Sequence, residues 1–216
     1  ASAPQRAVHR LTLDVDLQDR LEALASEHAA RLPDSVSVAI LIADHRRGEV
    51  LASAGAMNPQ IRFGEDLMSR VSYAMLHEEG AQQMTQAVRE AINELLIDVV
   101  EQAGVERDTV LEVTLVGNPV MHHLLLGFDP TPLGQAPFAL QTDQAVEVAA
   151  SELKLDLAPG TRAYVLPCIA GHVGADTAAV MLAEEPWDGD ETSLLIDVGT
   201  NAEIVLGRRD RVLAAS

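Results

Sequence analysis

The chain has 216 residues, 48% of them hydrophobic, and a mean hydropathy of +0.10, enough for one large core or two modest lobes. Its 33 acidic side chains against 15 basic ones give a net charge of −18, and aromatic residues are 3% of the total, which excludes the basic groove and stacking platforms that nucleic acid needs. A single cysteine, Cys168, excludes an internal disulfide and cannot supply four ligands to a zinc ion or an iron–sulfur cluster. No apolar run is long enough to span a bilayer and no apolar signal core follows the amino end, so a cytoplasmic protein without membrane contact is expected.

In chain order, Ser35 to Ile42 (SVSVAILI) predicts a strand that turns at His45-Arg46-Arg47-Gly48 into Glu49 to Ala52. Glu65 to His77 carries Leu67, Met68, Val71, Ala74 and Met75 at helical spacing, with Glu65 and Asp66 at the positive end of the helix dipole. Gln83 to Ala103 is a longer amphipathic helix, with Val88, Ile92, Leu95, Leu96 and Val99 on one side and Gly104 as its stop. Leu111 to Val116 predicts a strand, after which Asn118 caps a helix whose first position is Pro119.

Asp129 to Phe138 reads as a loop, Val146 to Leu153 as a short helix and Arg162 to Leu166 as a strand. Gly171-His172-Val173-Gly174 is a glycine turn into a helix from Asp176 to Glu184, and Pro186 to Glu191 is a linker. Strands interleaved with helices, with hairpins at Ser35 and Leu194, predict an α/β protein with a mixed sheet.

Leu194 to Glu203 (LLIDVGTNAE) is the most informative stretch. Leu194, Leu195 and Ile196 have the character of a strand covered on both faces, and Asp197 ends it. Gly199 lets the backbone approach an anion so that successive N–H groups converge, and Thr200 and Asn201 add side-chain donors. Ile204, Val205 and Leu206 resume an apolar strand, so the unit is strand, loop, strand; a Walker-type loop would need a Lys-Ser or Lys-Thr pair and a following helix. Asp197 would repel phosphate directly but suits a hydrated Mg²⁺ that bridges to it. The plain alternative is an ordinary hairpin with a polar turn.

Other residues carry the same double reading. Gly171, Gly174, Asp176 and Thr177 either present N–H groups to phosphate or permit tight packing. Met121 and His123 suit a core, and Cys168 with His172 lacks the second close pair that a metal site needs. Arg62, Glu65, Asp66 and Arg70 fit either an ion-pair network or a partner-facing surface.

Five ordered blocks, NPQIRFGEDLMSR (Asn58 to Arg70), GNPVMHHLLLG (Gly117 to Gly127), LGQAPF (Leu133 to Phe138), LPCIAGHVGADT (Leu166 to Thr177) and IDVGTNAEIVLG (Ile196 to Gly207), resemble the reductive activators of corrinoid proteins. That family is one of actin-like ATPases, with ribonuclease H-like lobes and mixed sheets flanked by helices. The layout of the Ser35 hairpin echoes that of the Leu194 hairpin, as the two phosphate loops of such lobes do. The resemblance implies residues 1–34 as a flank or remnant of a middle domain, 35–190 as the first lobe and 191–216 as the start of the second.

By resemblance, the function is ATP-dependent return of a Co(II) corrinoid protein to Co(I), with electrons from a [2Fe–2S] domain that this chain does not carry. The cofactors implied are ATP and Mg²⁺, the partner is a corrinoid protein, and a homodimer is a further expectation. Asp197 would hold Mg²⁺ through water, Glu203 is a candidate for positioning the catalytic water, and Gly199, Thr200, Asn201, Gly171, Gly174, Asp176 and Asn118 are the candidate nucleotide-binding residues. Three departures stand out: Leu32-Pro33-Asp34-Ser35 occupies the place of the family's D-I-G-T-T loop, Ser216 comes before its glycine-rich adenosine region, and Ala202 replaces a usual glycine. The other readings are a nucleotide-sensing docking module without turnover and a small-molecule kinase of the same superfamily.

Overall fold

The computed structural model describes residues 37–198 and 202–216. The expected flank at 1–34, the start of the first strand at Ser35, and Gly199, Thr200 and Asn201 lie outside the described residues.

The first hairpin joins β1 (Val38–Asp44) to β2 (Glu49–Ala56), antiparallel, with an irregularity at Ile42/Ala43. Asp44 holds the turn by accepting from the backbone N–H of Arg46 at 2.9 Å and of Arg47 at 3.2 Å, and Gly48 supplies the positive φ of 62° that closes it. Next come α1 (Leu67–Leu76), capped by Asp66, and α2 (Gly80–Ala103), which ends on Gly104 in the left-handed conformation.

The second sheet has the order β3-β5-β4: β3 (Glu112–Leu115) runs parallel to β5 (Arg162–Val165), and β4 (Val146–Ala149) pairs antiparallel with the other edge of β5. Between β3 and β4 lies α3 (Pro119–Leu126), which begins at the expected Asn118 cap. The expected short helix over Val146 to Leu153 is corrected: its first half is β4 and only Ala150–Leu153 coils, as a 3-10 turn. The alternation of Val146 and Val148 lets the segment complete a ladder against Val165 and Ala163, which outweighs its helix propensity. The expected loop from Asp129 contains a 3-10 turn at Thr131–Gly134 and a cis peptide bond at Ala136-Pro137.

Helix α2 is the floor of both sheets. Its Leu95 and Val99 pack against Ala52 and Ala54 of β2, while Val88, Ile92 and Leu96 join Leu125, Ala163 and Val165 under the second sheet. Ile40 of β1 and Leu115 of β3 pack on that same second cluster. Helix α2 also finishes α3: Arg89 donates Nε and Nη2 to the Leu125 carbonyl at 3.0 and 2.7 Å, and the Thr85 hydroxyl donates to the Leu124 carbonyl at 2.6 Å.

The chain then forms α4 (Ala175–Glu184) and a third sheet, β6 (Ser193–Val198), β7 (Ala202–Arg208) and β8 (Arg211–Ala215), all antiparallel neighbours in that order. Among the described residues no helix is long and apolar enough to cross a membrane.

Candidate functional site

Asp197 stands directly opposite Glu203 in the β6–β7 ladder, and residues paired across a ladder share a face. That face also carries Leu195, the buried Val205 and Gly207, and it is the covered side of the sheet. Leu194 (57% exposed), Ile196, Ile204 and Leu206 line the other side, so the strand expected to be covered on both faces is open on one among the described residues. Gly207 fixes where the hairpin sits, because a Cβ there would lie 2.5 Å from Cβ of Pro186 and 2.6 Å from its carbonyl oxygen.

Asp176 reaches the same corner from the start of α4. The Gly117 carbonyl accepts from the N–H of Ala175 at 3.0 Å and of Asp176 at 3.4 Å, which ties the head of α4 to the turn between β3 and α3. The Thr177 N–H donates to Oδ1 of Asp176 at 2.8 Å. These first-turn N–H groups therefore have protein partners. Glycine is required nearby for packing: a Cβ on Gly174 would sit 2.3 Å from Oδ1 of Asp176 and 2.7 Å from Cα of Asn118, and one on Gly171 would sit 2.0 Å from the Phe138 carbonyl oxygen.

Burial raises the Asp176 carboxyl above the usual carboxylate range, the Thr177 N–H opposes that rise, and the charge of Asp197 adds to it. Asp176 and Asp197, 21 positions apart in sequence, are thus electrostatic neighbours, with Glu203 on the face of Asp197. Asn118 stands at the foot of this corner, its Oδ1 accepting from the Met121 N–H at 2.9 Å as the cap of α3.

The adjacent histidines of α3 differ sharply. His123 is satisfied at both ring nitrogens, with Nδ1 2.8 Å from the Pro119 carbonyl and Nε2 accepting from the Gln141 N–H at 3.0 Å, which fixes it as a structural, neutral imidazole. His122, 2% exposed, has neither nitrogen in a hydrogen bond; the Leu166 backbone approaches it without reaching hydrogen-bond geometry. Burial first, and then the neighbouring His123, push its pKa down to about 4. The Thr177 hydroxyl is likewise buried without a hydrogen-bond partner among the described residues. No sequence signal separates His122 from His123, because the difference comes from the Pro119 carbonyl and the Gln141 N–H, which the fold brings to one ring and not the other.

Cys168 is a core residue beside Leu166 and Ala175, its thiol pushed up to about 11 chiefly by burial, and the His172 ring packs edge-on against Phe138 at 4.2 Å. The NPQIRFG block is also put to structural use. Asn58 and Gln60 are buried and bonded to each other, Gln60 donates Nε2 to the Met84 carbonyl at 3.0 Å, and Arg70 donates Nε to the Gly64 carbonyl at 3.0 Å. Arg62 lies over the Phe63 ring, 4.7 Å from its centre.

No group of three or more His, Cys, Asp or Glu side chains among the described residues converges closely enough to ligate a metal directly. The donor set fits a cation held through water instead: after burial, the charge of Asp197 raises the Asp176 carboxyl, and a hydrated divalent ion beside the two would offset that charge.

The chain resembles known proteins over most of its length. Residues 35–186 match the family described as the RACo middle region. The chain is 33% identical over 182 residues to the corrinoid activation enzyme RamQ of Eubacterium limosum, covering 84% of this chain and 30% of that one. It superposes on a solved structure of a reductive activator for corrinoid, iron-sulfur protein with a TM-score of 0.80 at 33% identity, covering 83% of this chain and 29% of the other. The chain therefore spans less than a third of the length of the relatives it matches. On the strength of a family match across most of its length, the chain belongs to the RACo middle-region family.

Proposed function

We propose that this chain is the nucleotide-responsive part of an activator that drives a corrinoid protein from Co(II) to Co(I), on an actin-like scaffold. One observation carries the reading: Asp197 and Glu203 share the covered face of the β6–β7 hairpin, and Asp176 comes close enough to feel the charge of Asp197. In this reading Gly199, Thr200 and Asn201 bind phosphate, Asp197 holds Mg²⁺ through water with Asp176 as the second carboxylate, and Glu203 orients the attacking water. Bound Mg²⁺ would neutralise developing charge on the phosphate oxygens. Asn118 and Gly174 serve the site by fixing the β3–α3 turn against the head of α4, and Gly171 by packing the preceding turn against the Phe138 backbone.

Reduction to Co(I) takes one electron, which the reading assigns to an iron–sulfur domain outside this chain. Nucleotide binding and hydrolysis would make that transfer favourable by changing the environment or axial ligation of the cobalt, the general means by which proteins tune a bound metal. The test is the absorbance of a Co(II) corrinoid protein mixed anaerobically with the full-length activator, a reductant and Mg-ATP. A Co(I) spectrum that requires ATP supports the reading, and a signal unaffected by ATP across several corrinoid proteins overturns it. Asp197→Ala should abolish the ATP requirement's effect while the protein stays folded; unchanged turnover would remove Asp197 from the mechanism.

A further inference from the structure

Helix α1 is apolar on two sides. Leu67, Val71 and Ala74 pack inward with Val120, Leu124 and Leu133. Its single charge, Arg70, is buried as well, with Nε donating to the Gly64 carbonyl at 3.0 Å. The sequence spacing groups Met68 and Met75 with the inner set, but the fold turns them out. Met68 is 48% exposed, Met75 59% and Leu76 80%, the last being the highest exposure of any large apolar side chain among the described residues. With the exposed Ser72 they share one side of the helix, a stripe about 12 Å long that carries no charge.

The neighbouring helix behaves in the ordinary way. Over 24 residues α2 exposes one large apolar side chain, Ile97, and the rest of its outer side is polar, with Gln82, Gln86, Glu90, Glu94 and Asp98. A helix that is apolar all round belongs in an interior, and methionine is the apolar residue that adapts best to a partner's shape. The stripe is also not needed to hold α1 in place. Asp66 caps the helix by accepting from the Ser69 N–H at 2.7 Å, a Cβ on Gly64 would lie 2.7 Å from the Arg70 nitrogen, and one on Gly134 would lie 2.5 Å from Cγ1 of Val71. These contacts fix α1 from its inner side and its start, so the outer stripe is preformed and docking on it costs little ordering.

The ends of the stripe say what fits it. Glu65 stands before it and Glu78 and Glu79 after it, all exposed and without an ion pair among the described residues. From Phe63 to Val88 the only Lys or Arg is the inward Arg70. An apolar centre between carboxylates selects a surface whose apolar side chains are flanked by lysine or arginine. Two copies of this chain meeting symmetrically through the stripe would instead set Glu65 against Glu78 and Glu79, like charge against like.

We propose that the Met68–Leu76 stripe of α1 is where the corrinoid protein docks, through an apolar patch of its own flanked by basic side chains. This rests on the reading of the chain as part of a corrinoid-protein activator, and it adds a place and a chemistry for the contact.

Carbene footprinting with a photolysed diazirine tests it without disturbing the cobalt. The full-length activator is labelled alone and with a Co(II) corrinoid protein that it reduces in the ATP-dependent assay. In the free activator Met68, Met75 and Leu76 should label strongly at every protein concentration, with the buried Met84 as the unlabelled reference. Saturating corrinoid protein should cut that labelling about 10-fold, as expected for side chains at the dry centre of an interface. Leu76→Glu should raise the Kd for the corrinoid protein about 100-fold with nucleotide binding unchanged. Glu78→Lys/Glu79→Lys should raise it about 10-fold and weaken its dependence on salt. A stripe already protected in the free activator, or protected as the activator's own concentration rises, overturns the proposal, because another part of the protein or a second copy then covers it. So does a stripe that saturating corrinoid protein leaves fully labelled, or a Kd unchanged in Leu76→Glu. ATP-dependent reduction with an unprotected stripe removes this proposal alone, whereas no ATP-dependent reduction of any corrinoid protein removes the activator reading and this proposal with it.

Discussion

The NPQIRFG block and the IDVGTNAE block carry the family resemblance equally, yet the fold uses them in opposite ways. In the first, the buried polar groups are spent internally: Asn58 bonds Gln60, Gln60 bonds the Met84 carbonyl, and Arg70, at the end of the longer block, bonds the Gly64 carbonyl. In the second, Asp197 and Glu203 keep carboxylates on a face beside a third, Asp176, and among the described residues the only side-chain bond to Glu203 is a 3.3 Å one from the Ser216 hydroxyl. A polar motif is a chemical site only where the packing leaves it capacity to bind something else. The comparison predicts that changes in the first block cost stability and changes in the second cost function.

The largest expected effect is Gln60→Ala. Its side chain is fully buried, so the change leaves the Met84 carbonyl and Asn58 short of a partner and opens a cavity, at a cost of about 3 kcal/mol. Urea unfolding measures it, and a loss below about 1 kcal/mol would break the contrast between the blocks. Acid should act comparably through His122. Folding lowers its pKa from 6.5 to about 4, so the unfolded chain binds the extra proton between those values. The stability it contributes is complete above pH 6.5 and falls as the pH drops toward 4, by about 3 kcal/mol at most.

The neighbouring histidines sharpen this. His123→Leu strands the Gln141 N–H and the Pro119 carbonyl and should cost about 2 kcal/mol. His122→Leu removes two unmet ring nitrogens and should be neutral or stabilising, while flattening the loss of stability between pH 6.5 and 4. Thermal unfolding of the two variants across that range separates them, and equal losses would mean that His122 has a partner in solution.

Local chemistry made much of the fold legible. Asn118-Pro119 started a helix, Gly104 stopped one, and the His45 to Gly48 turn joined two strands, because caps and tight turns depend on residues within a few positions. What failed was decided at long range. Val146 to Leu153 became strand and 3-10 turn because β5 had a free edge, and the covering of Leu194 and Ile196 depended on layers that no local pattern specifies. The candidate site shows the same division. Asp197 and Glu203 were readable from one hairpin, whereas the approach of Asp176 to Asp197 depends on two separate long-range contacts, Gly174 on the Gly117-Asn118 turn and Gly207 on Pro186. The orphaned His122 and the buried Asn58-Gln60 pair left no trace in the sequence that distinguishes them from surface polar residues.

The smallest effect should be the most telling about the corner. Burial and Asp197 both raise the Asp176 carboxyl, so its ionised form opposes folding: stability is full below the unfolded value of 3.8 and declines as the pH rises through the higher folded value. Asp176→Asn keeps an Oδ1 to accept from the Thr177 N–H and removes the repulsion, so it should stabilise the protein at pH 7 by up to about 1 kcal/mol and lose that gain in acid. The same change should weaken Mg²⁺-dependent nucleotide binding in the full-length protein. A variant that is more stable yet binds less identifies carboxylates held together for a ligand rather than for the fold. A variant that is less stable at neutral pH would place Asp176 with Gln60 and Arg70 among the structural polar residues, leaving the hairpin pair alone to account for the site.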